Sequence, residues 1–224
     1  MRISSLGDNA VIVSFGDVIS EELNLKSIVL CQKFADDPFS GFIEAAPAYA
    51  SASVFYDVMA VRKAYPEYRS ASAAVASIVE QLCKRLSASD PIEMRPIEIP
   101  VSFDPVSALD LRDASALCGL SPDEFLNIFL GKTYRVFMLG FLPGFAYMGS
   151  VDERIAVPRR SKPRTKVPKG SVGVAGFQTG IYPRDSPGGW QLIGRTELEL
   201  FDPNRSEPCV FRPGDEVRFV NIAK

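Results

Sequence analysis

The 224-residue sequence contains no histidine. That single absence removes Ser-His-Asp and Cys-His nucleophilic mechanisms and the HExxH zinc site, so acid-base chemistry falls to Asp, Glu, Lys, Tyr, Cys or a partner chain. Cysteine is sparse as well. Cys31, Cys83, Cys118 and Cys209 are widely spaced and form no CxxC pair, which leaves reduced, small hydrophobic residues and no metal site as the expectation. Neither a GxxxxGK[ST] phosphate loop nor a Met-Lys-Met biotin attachment site is present, so a nucleotide binds by another route and biotin is not carried here. No apolar run is long enough for a bilayer, and the opening MRISSLGDNA has no signal-peptide core; a cytoplasmic protein without a membrane partner is expected. With a formal charge of -2, a pI near 5.4 and no recognisable binding motif, nucleic acid is not an expected partner either.

What the chain does have is an ordinary globular composition, 46% hydrophobic and 23% charged, in a length suited to one large or two small domains. From the N-terminus, Ala10–Phe15 reads as a strand after the turn residues Gly7-Asp8-Asn9. Ser20 caps a helix with Glu21 and Glu22 in its first turn. Phe42–Ala45 and Ala52–Tyr56 read as strands, and Ser70 or Ser72 opens an amphipathic helix carrying Val75, Ile78, Val79, Leu82 and Leu86. With Ile97–Val101 as a last strand, the expected layout is α+β, a split β-α-β (ferredoxin-like) domain over residues 1–90. Ser87-Ala88-Ser89-Asp90-Pro91 is the linker candidate.

Residues 91–224 read as a mostly β second domain. Leu109–Cys118 is a helix stopped by Gly119, and Ser121-Pro122-Asp123-Glu124 carries the signature of a second helix start. Tyr134–Leu139 is an apolar strand, while Glu197–Phe201 and Glu216–Val220 alternate as strands with the turn Pro213-Gly214-Asp215 before the latter.

The window Gly140–Thr196 concentrates the special residues: ten of the 16 glycines, six prolines and the sole tryptophan, Trp190. Such punctuation breaks helices and favours short strands joined by fixed turns. Seven basic residues and no acid lie between Arg154 and Lys169. That stretch is either a solvated loop or a grip for phosphate or carboxylate, which arginine holds through paired hydrogen bonds. Pro158, Pro163 and Pro168 stiffen it, reducing the entropy lost on binding.

The phrases GFLPGFAYMG, Pro158-Arg159, Pro163-Arg164, VPKGSVGVAG, QTGIYP and SPGGWQLIGRT, in that order, resemble the family of B-type subunits of 5-oxoprolinase. That family is also known as allophanate hydrolase subunit 1 or KipI, and corresponds to subdomains C and D of a carboxyltransferase domain. The resemblance implies a cyclophilin-like β-barrel carrying the ligand site over residues 91–224. It also implies a role in ATP-dependent hydrolysis of 5-oxo-L-proline to L-glutamate, with ATP shared with A-type and C-type partner subunits. The family also implies two alternatives: noncatalytic inhibition of a sensor histidine kinase, or a carboxyltransferase half acting on urea or a similar amide with biotin supplied in trans.

For that chemistry Arg159, Arg164, Lys169 and Arg195 are the candidate anion-binding residues. Gly188 and Gly189 either bring backbone N–H groups to a ligand or only form a turn, and Gln178, Thr179 and Tyr182 are candidate polar contacts. Phe145, Tyr147 and Trp190 either line a pocket or fill the core. No catalytic residue is assigned. The family commonly places a histidine shortly before the strand matched by Tyr134-Arg135-Val136; this chain has Asn127-Ile128-Phe129-Leu130, and Phe129 cannot transfer a proton.

Overall fold

The computed structural model describes residues 1–86 and 94–222, and the linker candidate Ser87–Pro91 falls outside them. The chain divides into two compact units, Met1–Glu93 and Met94–Lys224. Among the described residues no helix is long and apolar enough to cross a membrane.

The first unit contains β1 (Arg2–Ser5), β2 (Ala10–Ser14), α1 (Glu21–Asp36), β3 (Phe42–Pro47), β4 (Ser51–Tyr56), α2 (Val58–Ala64) and α3 (Ala71–Cys83). Its sheet runs β1-β2-β4-β3 with every pairing antiparallel, so β2 and β3 are parallel to each other across β4. The helices start where local chemistry dictates. The Ser20 hydroxyl accepts from the Leu23 N–H at 3.2 Å and the Ser70 hydroxyl from the Ala73 N–H at 3.1 Å, each satisfying one of the unpaired amides of a first turn. Val11, Val13, Ala52, Val54 and Tyr56 from the strands meet Leu30, Phe34, Val75 and Val79 from the helices in one core.

The fourth strand of this sheet corrects the sequence reading. Residues 97–101 do not complete it; β1 occupies that edge instead. The segment Pro96–Val101 is β5 of the second unit, parallel to β13 (Glu216–Asn221). Two features draw it there. Ile99 and Val101 bury fully in the second core, and Arg95 at its entrance grips the buried Asp215 through hydrogen bonds of 2.9 and 2.6 Å.

The second unit continues with α4 (Leu111–Leu117), α5 (Pro122–Leu130), β6 (Thr133–Leu139), β7 (Ala146–Gly149), a 3-10 turn (Glu153–Ile155), β8 (Arg164–Val167), β9 (Ser171–Ala175), β10 (Gln178–Ile181), β11 (Ser186–Gly188), β12 (Gln191–Arg195) and β13. Ser121 and Glu124 form a complete capping box on α5, and Gly119 after α4 has the positive φ of a helix stop. Seven strands order as β12-β9-β10-β7-β6-β13-β5, with β8 and β11 paired apart. The two edges almost meet: Ser102, just past β5, and Arg195, at the end of β12, exchange backbone hydrogen bonds of 2.8 and 2.9 Å. The result is a nearly closed, barrel-like sheet around Val136, Met148, Val172, Val174, Ile181 and Ile193. Fully burying each such side chain stabilises the fold by about 1.5–3 kcal/mol.

Glu197–Phe201 is a second correction. Its alternation is real, since Leu200 is buried and Leu198 partly so, but the segment forms no ladder. Among the described residues its β pairing is limited to the isolated bridge Phe201–Cys209.

Candidate functional site

The turn between β6 and β7 begins the site. Leu142 donates its N–H to the Gly140 carbonyl at 2.8 Å, two residues back, which forces the intervening Phe141 to φ +68. A positive φ is strained for a bulky L residue. Its side chain is more than half exposed, and strain held on an exposed aromatic points to use rather than packing.

Beneath Phe141 lies a cleft of about 280 Å³, lined by Phe145, Tyr147, Tyr182, Trp190, Gly188–Gly189 and Arg159 among others. Its aromatic walls interlock edge to face: Phe145 meets Tyr147 at 4.9 Å, Tyr182 at 5.5 Å and Trp190 at 5.6 Å between ring centres. Both open alternatives for these aromatics are realised at once. Phe145, Tyr182 and Trp190 are buried and form their own small core with Val167 and Leu192, while one side of that core is the cleft wall. Burial pushes the Tyr182 hydroxyl up from its ordinary pKa, opposed by the Trp190 backbone hydrogen bond and the Arg159 charge. The phenol therefore stays neutral and serves as a hydrogen-bonding group.

The basic stretch is mostly neutralised by acids that the sequence places elsewhere. Arg154 pairs with Asp152, Arg160 and Arg164 with Asp110, Lys166 with Asp185, and Lys169 with Glu199. Among the described residues Arg159 has no ion-pair partner, and it is the cation that lines the cleft.

Seven candidates, Arg159, Tyr182, Gly188, Gly189, Phe145, Tyr147 and Trp190, thus come together. The other five are not brought to this cleft. Arg164 is held bidentate by Asp110 at 2.8 and 2.6 Å. Lys169 reaches Glu199 at 2.5 Å. Thr179 is fully buried, its hydroxyl donating to the Gly173 carbonyl at 2.9 Å. Gln178 opens β10 opposite Gly149. Arg195 lines a different cleft, of about 490 Å³, with Ser102, Asp104 and Asn221 beside the barrel seam. Sequence reasoning missed Asp110, whose arginine partners lie 50 and 54 residues away, and the strain at Phe141, which only the turn geometry reveals.

Compared with known proteins, residues 1–211 match the family model described as carboxyltransferase domain, subdomain C and D. The chain is 42% identical over 224 residues to the B-type subunit of 5-oxoprolinase from Bacillus subtilis, covering 100% of this chain and 93% of that one. The chain belongs to the family of 5-oxoprolinase B-type subunits. The protein of the same name from Escherichia coli O157:H7 is 38% identical over 221 residues, covering 98% and 95% of the two chains. Among solved structures, TTHA0988 superimposes with a TM-score of 0.81 at 34% identity over 96% of this chain, which spans 40% of that longer polypeptide.

Within this B-type fold, position 129 is not at the cleft. Phe129 is fully buried on α5, its ring 4.9 Å from Phe219 and 5.1 Å from Tyr134. Its backbone carbonyl accepts the Tyr134 hydroxyl at 2.9 Å. In this chain the residue standing where the resemblance leads one to expect histidine is a core aromatic.

Proposed function

We propose that this chain is the B-type component of an ATP-dependent 5-oxoprolinase, acting in the cytoplasm with A-type and C-type companions to open 5-oxo-L-proline to L-glutamate. The observation that carries the reading is the end-to-end match to a 5-oxoprolinase B-type subunit at 42% identity. The site chemistry agrees with it. A small ring bearing a carboxylate suits a compact aromatic cleft with one unpaired guanidinium at its edge. Arg159 would hold the carboxylate, and Phe145, Tyr147 and Trp190 would exclude water from the ring.

ATP would supply a phosphoryl group to the lactam oxygen, making the ring carbonyl carbon electrophilic enough for water to add and the ring C–N bond to break, with nitrogen leaving as the amine and the phosphoryl group released as phosphate. The cleft is small and offers a single arginine, a poor match to a triphosphate, which calls for several cations or a nest of amides. We therefore assign the nucleotide to the companion chains. The finer architecture we read as a ferredoxin-like first unit, its edge strand supplied by β1, and a cyclophilin-like barrel.

The test is ATP-dependent glutamate release from 5-oxoproline by this chain purified with its A-type and C-type companions. Turnover requiring all three is expected. Turnover by this chain alone would contradict the subunit reading, and none from a well-assembled complex would contradict the substrate.

A further inference from the structure

Asp110 is the least exposed acid of the second unit after Asp215, at 2%, and it takes part in no step described above. Its carboxylate accepts four hydrogen bonds: from Arg160 at 2.7 Å, from Arg164 at 2.8 and 2.6 Å, and from the Leu192 N–H at 2.8 Å. The Asp110 N–H in turn donates to the Leu192 carbonyl at 2.8 Å. One buried acid thus ties two arginines of the basic loop to β12. The loop is fastened a second time on the same side: the Arg160 N–H donates to the Gly189 carbonyl at 2.8 Å, and the Gln191 side-chain amide to the Pro158 carbonyl at 3.1 Å.

Arg159 sits between these fastenings. Its carbonyl-side neighbour Arg160 is held by side chain and backbone, and the carbonyl preceding it, that of Pro158, is held by Gln191. A buried carboxylate satisfied by two guanidiniums and an amide is a rigid fixture, because any displacement leaves charge unpaired in a poorly solvated place. Long cationic side chains on a loop otherwise sample many directions at an entropic advantage of about 2 kcal/mol.

We propose that Asp110 is a positioning residue: through Arg160 and Arg164 it holds the loop so that Arg159 is presented to the cleft of Phe145, Tyr182 and Trp190. This rests on the cleft reading of the proposed function, and the experiment separates the two. Trp190 is the sole tryptophan and lines the cleft beside Arg159, so the full-length chain gives a single indole N–H cross-peak in a ¹⁵N-correlated NMR spectrum. That peak is recorded for wild type, Arg159→Ala, Asp110→Asn and the double variant. Arg159→Ala and Asp110→Asn are each expected to shift it, and the double variant to coincide with Asp110→Asn. Shifts that add in the double variant, or no shift with Asp110→Asn, overturn the proposal, because Asp110 would then act independently of Arg159. Should Asp110→Asn fail to fold, Arg160→Gln, which leaves the Asp110–Arg164 pair intact, takes its place in the same cycle with the same criteria. In the complex with its companions, Asp110→Asn is expected to raise KM for 5-oxoproline about tenfold with a smaller change in kcat. A wild-type complex that releases no glutamate counts against the substrate assignment alone, since the NMR cycle still judges Asp110.

Discussion

A Cβ added to Gly188 would stand 2.5 Å from the Tyr182 hydroxyl oxygen. Strand β11 therefore passes the phenol at a distance only glycine permits, and that passage forms the floor of the aromatic cleft. Gly188→Ala must push Tyr182 aside or bow β11 outward. Overpacking of this kind costs about 1–3 kcal/mol, which for a chain of this size lowers the thermal midpoint by roughly 2–4 °C per kcal/mol. Calorimetry on the variant checks it, and an unchanged midpoint would mean the strand moves freely. Gly189→Ala is the control, because a Cβ there meets Pro163 at an ordinary 3.6 Å.

Arg159 and Lys162 are neighbours in the basic stretch, yet only Arg159 lines the cleft. A hydrogen bond to a charged group is worth about 1.5–3 kcal/mol, so Arg159→Ala should cut kcat/KM of the assembled enzyme roughly tenfold to a hundredfold. Lys162→Ala should stay within about twofold of wild type, as surface charges usually do. Steady-state kinetics on the two variants decide the matter. Equal losses would reduce Arg159 to part of a diffuse positive field.

Phe141→Gly separates strain from use. Glycine adopts φ +68 freely, whereas a left-handed conformation costs an ordinary residue about 1–2 kcal/mol. The thermal midpoint should hold or rise slightly while KM for 5-oxoproline increases, because the ring that covers the cleft is gone. A lower midpoint with unchanged KM would show that Phe141 serves packing alone.

The first unit should lose stability in alkali for a specific reason. Burial pushes the Cys31 thiol up to about 12 and, helped by the nearby Glu80 charge, the Cys83 thiol up to about 11. The folded chain thus keeps protons that the unfolded chain releases near the ordinary thiol pKa of about 8.5. This contribution is complete below that pH and is lost as pH rises towards 11 to 12. Denaturant midpoints measured from pH 8 to 11 should fall less steeply for Cys31→Ala than for wild type. Parallel curves would show that other groups govern the alkaline limb. The same burial predicts slow reaction of Cys31 with thiol reagents at pH 8.

The helix starts at Ser20, Ser70 and Ser121 were legible in the sequence because they are local, whereas that of α2 at Asp57 was not read. Each of the three serines caps an amide three residues away, and that relation needs nothing from the rest of the molecule. Six of the thirteen described strands, β2 to β6 and β13, were legible as apolar or alternating runs, whereas β7 to β12 were expected only as unplaced short strands of the Gly140–Thr196 window and β1 was not read. Partnership was not. Residues 97–101 read equally well as the edge of either sheet, and the choice went to the second unit, where Ile99, Val101 and the Arg95–Asp215 pair find partners. Glu197–Phe201 shows the converse, an alternation that buries leucines without a ladder.

The site divides along the same line. By itself the sequence determined the residue types gathered in Gly140–Thr196, the cations, the glycines and the aromatics, and, through its ordered phrases, the family. Only the tertiary structure decided which cation is free to act. Charge balance is settled over a few ångströms in space, and Asp110 lies 50 residues from Arg160 and 54 from Arg164 along the chain, where no local pattern records it. The seven basic residues that look alike in sequence become, once folded, five paired fixtures, an exposed lysine and one arginine at the mouth of an aromatic cleft.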